Sequence, residues 1–407
     1  MQTLRNIKQL VIPVILLCFA SACQPTSKTE RTSLVEQTDS CLSAPAHTYQ
    51  VFIPAHPKNK NKLPLLVAID SHGSGQMAIR HLKEAISNYP AILIASNLIQ
   101  NNDPHYMQEL KTLIADVKKR YPTGDLTYLA GFSGGARMVL NYAATHPVNG
   151  VIACGAFAGR QQIATIKSPV IGLIGTDDFN FPETAQYILN PTNAPENAHI
   201  ELIHATHEWP SKKRLTNAFG WLYLSNKLNE NTDKRQVKNY VKAQNTRIDS
   251  LSQKGELIQS VCIARNMASA NAFESIESFH EKNKTLSENP VYRKQLLQML
   301  KSLQFESKER KTYQKALLNK DRNWWEKEIA KLQKKIQSEP NKMKRMAYKR
   351  LKGFIGIICY SYSQRFCAQK DIPHLKQVLM VYRLIEPGNT DMKHFSEILE
   401  KLVSNQV

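Results

Sequence analysis

A serine stands between small residues in the stretch Gly131-Phe132-Ser133-Gly134-Gly135. The apolar run 126–130 comes before it, and a pattern typical of a helix follows at 136–146. Gly-x-Ser-x-Gly at a strand-to-helix junction makes a turn too tight for bulky flanking residues, and it lifts the serine hydroxyl above the sheet edge. Ser133 is therefore the candidate nucleophile.

Two further apolar runs end in residues that could activate such a serine. Run 170–174 is followed by Asp177 and Asp178, and run 200–203 is followed by His204 and His207. An imidazole can take the proton of a serine hydroxyl, and a carboxylate can fix the tautomer of that imidazole. His207 is the expected base, because His204 still belongs to the strand. Two histidines without a third ligand do not form a zinc site, so we expect neither a metal nor a cofactor.

The elements that must position these residues alternate between strands and helices. Uninterrupted apolar runs at 65–69, 91–95, 151–154 and 170–174 predict parallel strands covered on both faces. The spacing of apolar residues predicts a helix over 106–121, and 48–53 reads as an antiparallel edge strand. This alternation predicts an α/β fold with a doubly wound, mostly parallel sheet. Reactive residues in such a sheet meet at the carboxyl ends of the strands.

The order of serine, acid and histidine, with four local motifs, resembles the α/β-hydrolase superfamily over residues 45–229. Within it the likeness is to the dienelactone hydrolase, polyhydroxybutyrate depolymerase and feruloyl esterase-like group. The motifs are HGSG at 72–75, GFSGGARM at 131–138, GTDD at 175–178 and HEWP at 207–210. The chain departs from these relatives at Ala205 and Thr206, where they usually have two glycines.

The resemblance implies a serine hydrolase with the triad Ser133, Asp178 and His207, with Asp177 as the alternative acid. It also implies an oxyanion hole formed by the backbone N–H of Gly134 and one from Gly73 or Ser74. The expected substrate is an ester, such as an acyl or feruloyl ester of a polymer. A peptidase on the same triad, or an inactive scaffold, is the alternative. Only about a dozen residues separate the runs at 151 and 170, so no inserted cap domain is expected and the cleft should be open.

The second half of the chain has a different composition. Residues 230–407 carry 34 basic and 19 acidic side chains, which gives +15 of the total net charge of +20. Helix-period stretches broken near 289–290, 339–340 and 387–388 predict an all-α domain of helical hairpins, and 359–395 resembles a tetratricopeptide-like junction. The basic run 342–352 reads either as a patch for an anionic surface or as the solvated face of a helix. A protein partner of this half is also possible, whereas export argues against nucleic acid.

The first residues read as a targeting segment. Arg5 and Lys8 precede the apolar run 10–20, which has the length of a secretory signal. The run ends in Ala20-Ser21-Ala22-Cys23, which resembles a bacterial lipobox and implies cleavage before Cys23 and lipidation of its thiol. We therefore expect a signal peptide at 1–22, a flexible tether at 23–44 and a lipid-anchored protein of the bacterial cell envelope, with simple secretion as the alternative. The five later cysteines are expected to be buried free thiols.

Overall fold

A computed structural model describes residues 33–56, 62–226, 232–270, 273 and 276–404. The predicted signal peptide, the lipidation site Cys23 and the predicted domain boundary at 229/230 lie outside the described residues. The strands are β1 (Val35–Ser40), β2 (Thr48–Ile53), β3 (Leu63–Ile69), β4 (Ile92–Ser96), β5 (Thr123–Phe132), β6 (Gly150–Cys154), β7 (Val170–Gly175) and β8 (Ala198–Ile203). The helices among and directly after them are α1 (Gly75–Asn88), α2 (Tyr106–Arg120), α3 (Gly134–Ala143), α4 (Arg160–Thr165), α5 (Phe181–Leu189) and α6 (Lys212–Ser225).

The eight strands form one sheet in the order β1-β2-β4-β3-β5-β6-β7-β8. Strands β3 to β8 run parallel, whereas β1 and β2 are antiparallel additions at one edge. Every residue of β3, β4, β6 and β7 is buried, which explains their uninterrupted apolar sequences. The predicted α/β fold with a doubly wound, mostly parallel sheet is confirmed.

The predicted tether at 23–44 is wrong for its last part, because residues 35–40 form the edge strand β1. This strand pairs with β2 along its whole length, and its Asp39 accepts a hydrogen bond of 2.7 Å from Arg120 on α2. Strand β2 was predicted to be the edge of the sheet, but β1 lies outside it. The polar composition of 35–40 was read as a solvated linker, but an edge strand is also half exposed and carries the same composition.

All the elements described after α6 are helices, as predicted. They are α7 (Lys234–Gln253), α8 (Leu257–Ala268), α9 (Ile276–Glu288), α10 (Pro290–Ala316), α11 (Arg322–Ser338), α12 (Lys342–Gln369), α13 (Ile372–Ile385) and α14 (Thr390–Ser404). The side chains of Asn289, Asn341 and Asp371 cap α10, α12 and α13 by accepting hydrogen bonds from first-turn N–H groups. Among the described residues, no helix combines the length and the apolar character needed to cross a bilayer.

The hydrophobic core does not divide at 229/230. Residues of α7 to α9 and the start of α10, up to Met299, pack into the same core as the sheet. A second core begins at Tyr313 and is built around Trp325, Leu351 and Leu379. The division between the cores therefore falls inside α10, and helix α8 is attached to β8 through the hydrogen bond from the Asn266 amide to the Ile200 carbonyl, 3.1 Å.

The five described cysteines are unpaired, as predicted, and four of them are fully buried. Cys359 and Cys367 lie on the single helix α12, which prevents a bridge between them. Burial raises the pKa of the Cys41 and Cys262 thiols to about 11. Thiols with such pKa values are poor nucleophiles, so these cysteines act as apolar core residues.

Candidate active site

Ser133 lies on a strained turn between β5 and α3. Its backbone has φ 55° and ψ −117°, a conformation that a residue with a side chain adopts only when its surroundings enforce it. The Ser133 N–H donates to the Cys154 carbonyl at the end of β6, 2.8 Å away, and this bond fixes the turn to the sheet. The geometry is that of a nucleophile elbow, and the serine hydroxyl faces the carboxyl edge of the sheet.

The two outer glycines of the motif are required by close backbone contacts. A Cβ at Gly131 would collide with the Gly135 carbonyl oxygen, and a Cβ at Gly135 would collide with the Ile69 carbonyl oxygen at the end of β3. Neither obstacle is a flexible side chain that could move aside. The Gly-x-Ser-x-Gly pattern is therefore dictated by the packing of α3 against β3 and β5.

The structure brings Ser133, His207 and Asp178 together, although they follow three different strands. The His207 Nε2 lies 2.9 Å from the Ser133 Oγ. The His207 Nδ1 lies 3.0 Å and 2.9 Å from the two oxygens of Asp178. Asp178 is 1% exposed and also accepts a hydrogen bond from the Asn180 N–H, 2.8 Å. This arrangement lets the imidazole take the serine proton while the carboxylate holds its tautomer.

The competing residues at the same strand ends point elsewhere. Asp177 binds Lys349 on α12 with an Oδ2–Nζ distance of 2.7 Å. His204 is half exposed and faces Gln259 and Glu256 of the helical half. The predicted preference for Asp178 over Asp177, and for His207 over His204, thus agrees with the distances.

Gly134 lies at the start of α3, directly after the serine. The first N–H groups of a helix have no intrahelical partner and carry partial positive charge, so they suit an oxyanion. A Cβ at Gly134 would collide with the Oδ1 of Asn101, which shows how closely that side chain covers this position, and the Asn101 Nδ2 lies farther from it. Asn101 lines the same cleft as Ser133, and its backbone N–H is tied to the Ser71 carbonyl, 2.9 Å. The sequence analysis missed Asn101, and no local motif marks it.

The prediction that Gly73 supplies an oxyanion N–H is wrong. The Gly73 N–H donates to the Asp70 carbonyl at 3.2 Å within its own turn. The Oγ of Ser74 caps α1 by accepting from the Met77 N–H, and the Ser74 N–H stays the predicted donor of this loop. The described residues that line the cleft on this loop are Ser71 and His72.

Asp70 connects this loop to the one that carries His207. Its Oδ2 accepts a hydrogen bond of 2.8 Å from the Trp209 indole, and its Oδ1 accepts one of 2.9 Å from the His72 N–H. Burial favours a higher pKa for Asp70, but the hydrogen bonds from His72 and Trp209 outweigh it and lower the pKa. The same Oδ1 lies 3.7 Å from the His72 Nδ1, and this side-chain interaction with the Asp70 carboxylate raises the pKa of His72. A charged Asp70 therefore anchors Trp209, two residues beyond the candidate base.

The cleft in front of Ser133 has a volume of about 480 Å³ and is covered by the helical half. Helix α12 contributes one face of its middle section, and the α13–α14 junction contributes the far end. The helical residues that line it include Lys352, Gly353, Gly356, Tyr360, Glu386 and Asp391. The expectation of an open cleft is thus wrong, because helices from the C-terminal half form one wall of it although no cap is inserted between β6 and β7.

The basic run 342–352 forms a solvated helix face in part, because the side chains of Lys342, Lys344 and Lys349 are 42–47% exposed whereas Arg350 is buried. Lys349 binds Asp177, and Arg350 is 2% exposed and binds Glu306 at 2.7 Å. Lys342 binds Glu256, and Lys344 lies 3.8 Å from Glu339. Four of its six basic side chains therefore bind carboxylates of this chain.

The fold has many relatives among solved structures. The substrate-bound fluorophosphonate-binding serine hydrolase F of Staphylococcus aureus is 12% identical, with a TM-score of 0.39 over 47% of this chain and 98% of that one. Est1E from Butyrivibrio proteoclasticus is 13% identical, with a TM-score of 0.36 over 45% of this chain and 95% of that one. The feruloyl esterase module of Clostridium thermocellum complexed with sinapinate is 15% identical, with a TM-score of 0.40 over 49% of this chain and 90% of that one.

No protein-family model matches the chain, and none of the curated proteins matches it. The similar structures are distant in sequence and cover about half of this chain. The function proposed below therefore depends on the distances within the cleft.

Proposed function

We propose that this chain is a serine hydrolase that cleaves a carboxylic ester through an acyl-enzyme on Ser133. The observation that carries the proposal is the 2.9 Å distance between the Ser133 Oγ and the His207 Nε2, with Asp178 bound to the other imidazole nitrogen. A serine used only for packing would not need the strained backbone of an elbow. The choice of an ester follows the resemblance of four local motifs to ester hydrolases.

The proposed reaction has two halves. His207 removes the hydroxyl proton as the Ser133 Oγ attacks the ester carbonyl, and the negative charge moves to the carbonyl oxygen. The Gly134 N–H and the Asn101 amide donate to that oxyanion. Protonated His207 gives its proton to the departing alcohol, and the acyl group stays on Ser133. A water molecule, deprotonated by His207, then releases the acid and regenerates the serine.

The size of the cleft restricts the substrate. A cavity of about 480 Å³ lies within the range of small-molecule sites, and aromatic rings of Phe132, Phe179 and Tyr360 line it. The covered cleft favours an ester whose acyl group is small enough to lie under α12. A polymer would reach Ser133 only with a protruding acyl group.

The test uses the purified protein with a fluorophosphonate probe and p-nitrophenyl esters of increasing acyl length. We expect covalent labelling and turnover that disappear in Ser133→Ala. His207→Ala should lose turnover as well, whereas His204→Ala, which removes a histidine three residues away, should keep it. Labelling and turnover that persist in Ser133→Ala would refute the proposal. A panel of peptide substrates run beside the esters separates an esterase from a peptidase.

We also propose export and attachment to the bacterial cell envelope through a lipid on Cys23. The support is the apolar run 10–20 and the small residues directly before Cys23. In cells that express the full chain, Cys23→Ser should move the protein out of the membrane fraction. Retention of the variant in the membrane fraction would contradict the lipid anchor.

A further inference from the structure

The turn that carries Asp178 is held by the helical half as well as by the sheet. The Thr176 carbonyl accepts a hydrogen bond of 2.7 Å from the Nη1 of Arg350 on α12. The Phe179 carbonyl accepts one of 2.5 Å from the Nη2 of Arg310 on α10. The two guanidinium groups thus bind the backbone on both sides of Asp178.

One buried carboxylate orients both arginines. Glu306 is 1% exposed, and its Oε2 binds the Nε of Arg350 at 2.7 Å. Its Oε1 binds the Nε of Arg310 at 3.0 Å. A guanidinium is planar with donors at fixed angles, so binding Glu306 sets the direction of the other N–H groups. Arg350 binds Glu306 through Nε and the turn through Nη1, whereas the Nη2 of Arg310 binds both Glu306 and the turn.

The turn also contacts the imidazole of His207 at one end and helix α12 at the other. The Phe179 ring packs on the imidazole of His207 with 4.2 Å between the ring centres. Lys349, next to Arg350, binds Asp177. A shift of this turn would therefore move the triad acid and the ring that supports the imidazole together.

Stability alone is a poor reason for such a cluster. Removing the Arg350 guanidinium and the Glu306 carboxylate from water costs several kcal/mol per ion, and apolar side chains of similar volume often stabilise a protein as well or better. What ionic groups of this kind provide is a fixed direction. That direction is toward two carbonyl oxygens beside Asp178.

We propose that Arg350, Arg310 and Glu306 form an arginine clamp through which the helical half positions Asp178. The clamp residues do not contact the reacting atoms and are positioning residues, and the inference builds on the proposed hydrolase function. Without the clamp the turn relaxes, Asp178 withdraws from His207, and the imidazole loses part of its alignment with Ser133.

The main variant is Arg350→Lys, which keeps a cation for Glu306 but cannot reach Glu306 and the Thr176 carbonyl with fixed geometry. We expect kcat to fall about 10- to 100-fold with little change in KM, since small misplacements of catalytic groups have effects of this size. The midpoint of the acidic limb of the pH profile of kcat/KM should move to lower pH, because a withdrawn carboxylate stabilises a charged imidazole less.

Arg247→Lys is the matched control. Arg247 on α7 also binds a buried carboxylate on the sheet side, Glu201 on β8, at 3.0 Å, but contacts nothing on the Asp178 turn. It should leave kcat and the acidic limb unchanged. Arg310→Lys is the second variant if Arg350→Lys folds poorly, since Arg310 is 22% exposed and its loss leaves the bond between Arg350 and Glu306 in place.

A readout without turnover separates this inference from the proposed function. The proton shared by His207 Nδ1 and Asp178 should give a far-downfield proton NMR signal in the wild-type protein. The clamp requires that signal to weaken or shift in Arg350→Lys or Arg310→Lys but not in Arg247→Lys. If the protein shows this pattern of signals but no turnover that depends on Ser133, the clamp is supported and the proposed esterase activity is refuted. Unchanged signals and unchanged kcat in both folded clamp variants would overturn the clamp.

Discussion

The two walls of the cleft are built in different ways. On the sheet side, Ser133, Asp178 and His207 are fixed by strand ends, a strained backbone and glycines that no other residue could replace. On the helical side, Lys352, Gly356 and Glu386 line the cleft from helices and their ends, and no residue described there forms a hydrogen bond with the Ser133 hydroxyl. We therefore propose that the sheet wall carries the chemistry, whereas the helical wall shapes the space and supports Asp178.

The walls also depend on each other. The arginine clamp reaches from α10 and α12 to the turn after β7, and the bond between Arg247 and Glu201 joins α7 to β8. Because α7 to α9 share the core of the sheet, this part of the helical half folds together with the sheet, whereas the helices from Tyr313 onward have a core of their own. Variants that affect one wall differently from the other test this division of roles.

The largest difference is expected between two adjacent carboxylates of the sheet wall. Asp178→Asn should lower kcat by about 10,000-fold, because an amide in place of the carboxylate favours the wrong tautomer of His207. Asp177→Asn removes the partner of Lys349 but does not affect the contacts of His207, so kcat should fall by no more than about tenfold. Steady-state kinetics on one p-nitrophenyl ester measure both. Equal losses in the two variants would mean that the acid has been assigned to the wrong residue.

A smaller effect is expected at Asn101, also on the sheet wall. Asn101→Ala should lower kcat about 100-fold with little change in KM, as for the loss of one oxyanion donor. Asn102→Gly is the control, because Asn102 has φ 65°, which glycine adopts freely, and its amide binds Gln364 of the helical half. If Asn101→Ala kept the wild-type kcat, Asn101 would not be an oxyanion donor, and the donors would be Gly134 and the loop after β3.

The same division explains what could be predicted from the sequence. The buried strands, and the meeting of Ser133, Asp178 and His207 at one sheet edge, were predictable because each motif spans a few consecutive residues at the end of an apolar run. Asn101 and the covering of the cleft were not, because they depend on residues far apart in the chain, such as Lys349 and Asp177, that carry no local pattern.

The failures at residues 35–40 and at Gly73 have another cause. In the first case, polar composition does not distinguish a linker from an edge strand. In the second, a matching motif does not fix where its backbone N–H groups point, because the turn at Asp70 takes up the Gly73 N–H. Both failures concern backbone pairing, which residue types report only indirectly.

The smallest effect is expected on the helical wall, at a glycine in the middle of α12. Gly356→Ala should raise stability by up to about 1 kcal/mol, or about 2 °C in Tm, because alanine is the better helix former. A Cβ there would meet only the flexible end of Glu386, which can move, but it would narrow the cleft. We expect KM to rise several-fold for long acyl esters and to stay unchanged for acetate.

Gly353→Ala, whose Cβ would lie 3.2 Å from the Phe179 ring beside His207, should lower kcat instead. If Gly356→Ala changed KM equally for all acyl lengths, α12 would not border the acyl group. The role of the helical wall would then be limited to supporting the turn that carries Asp178.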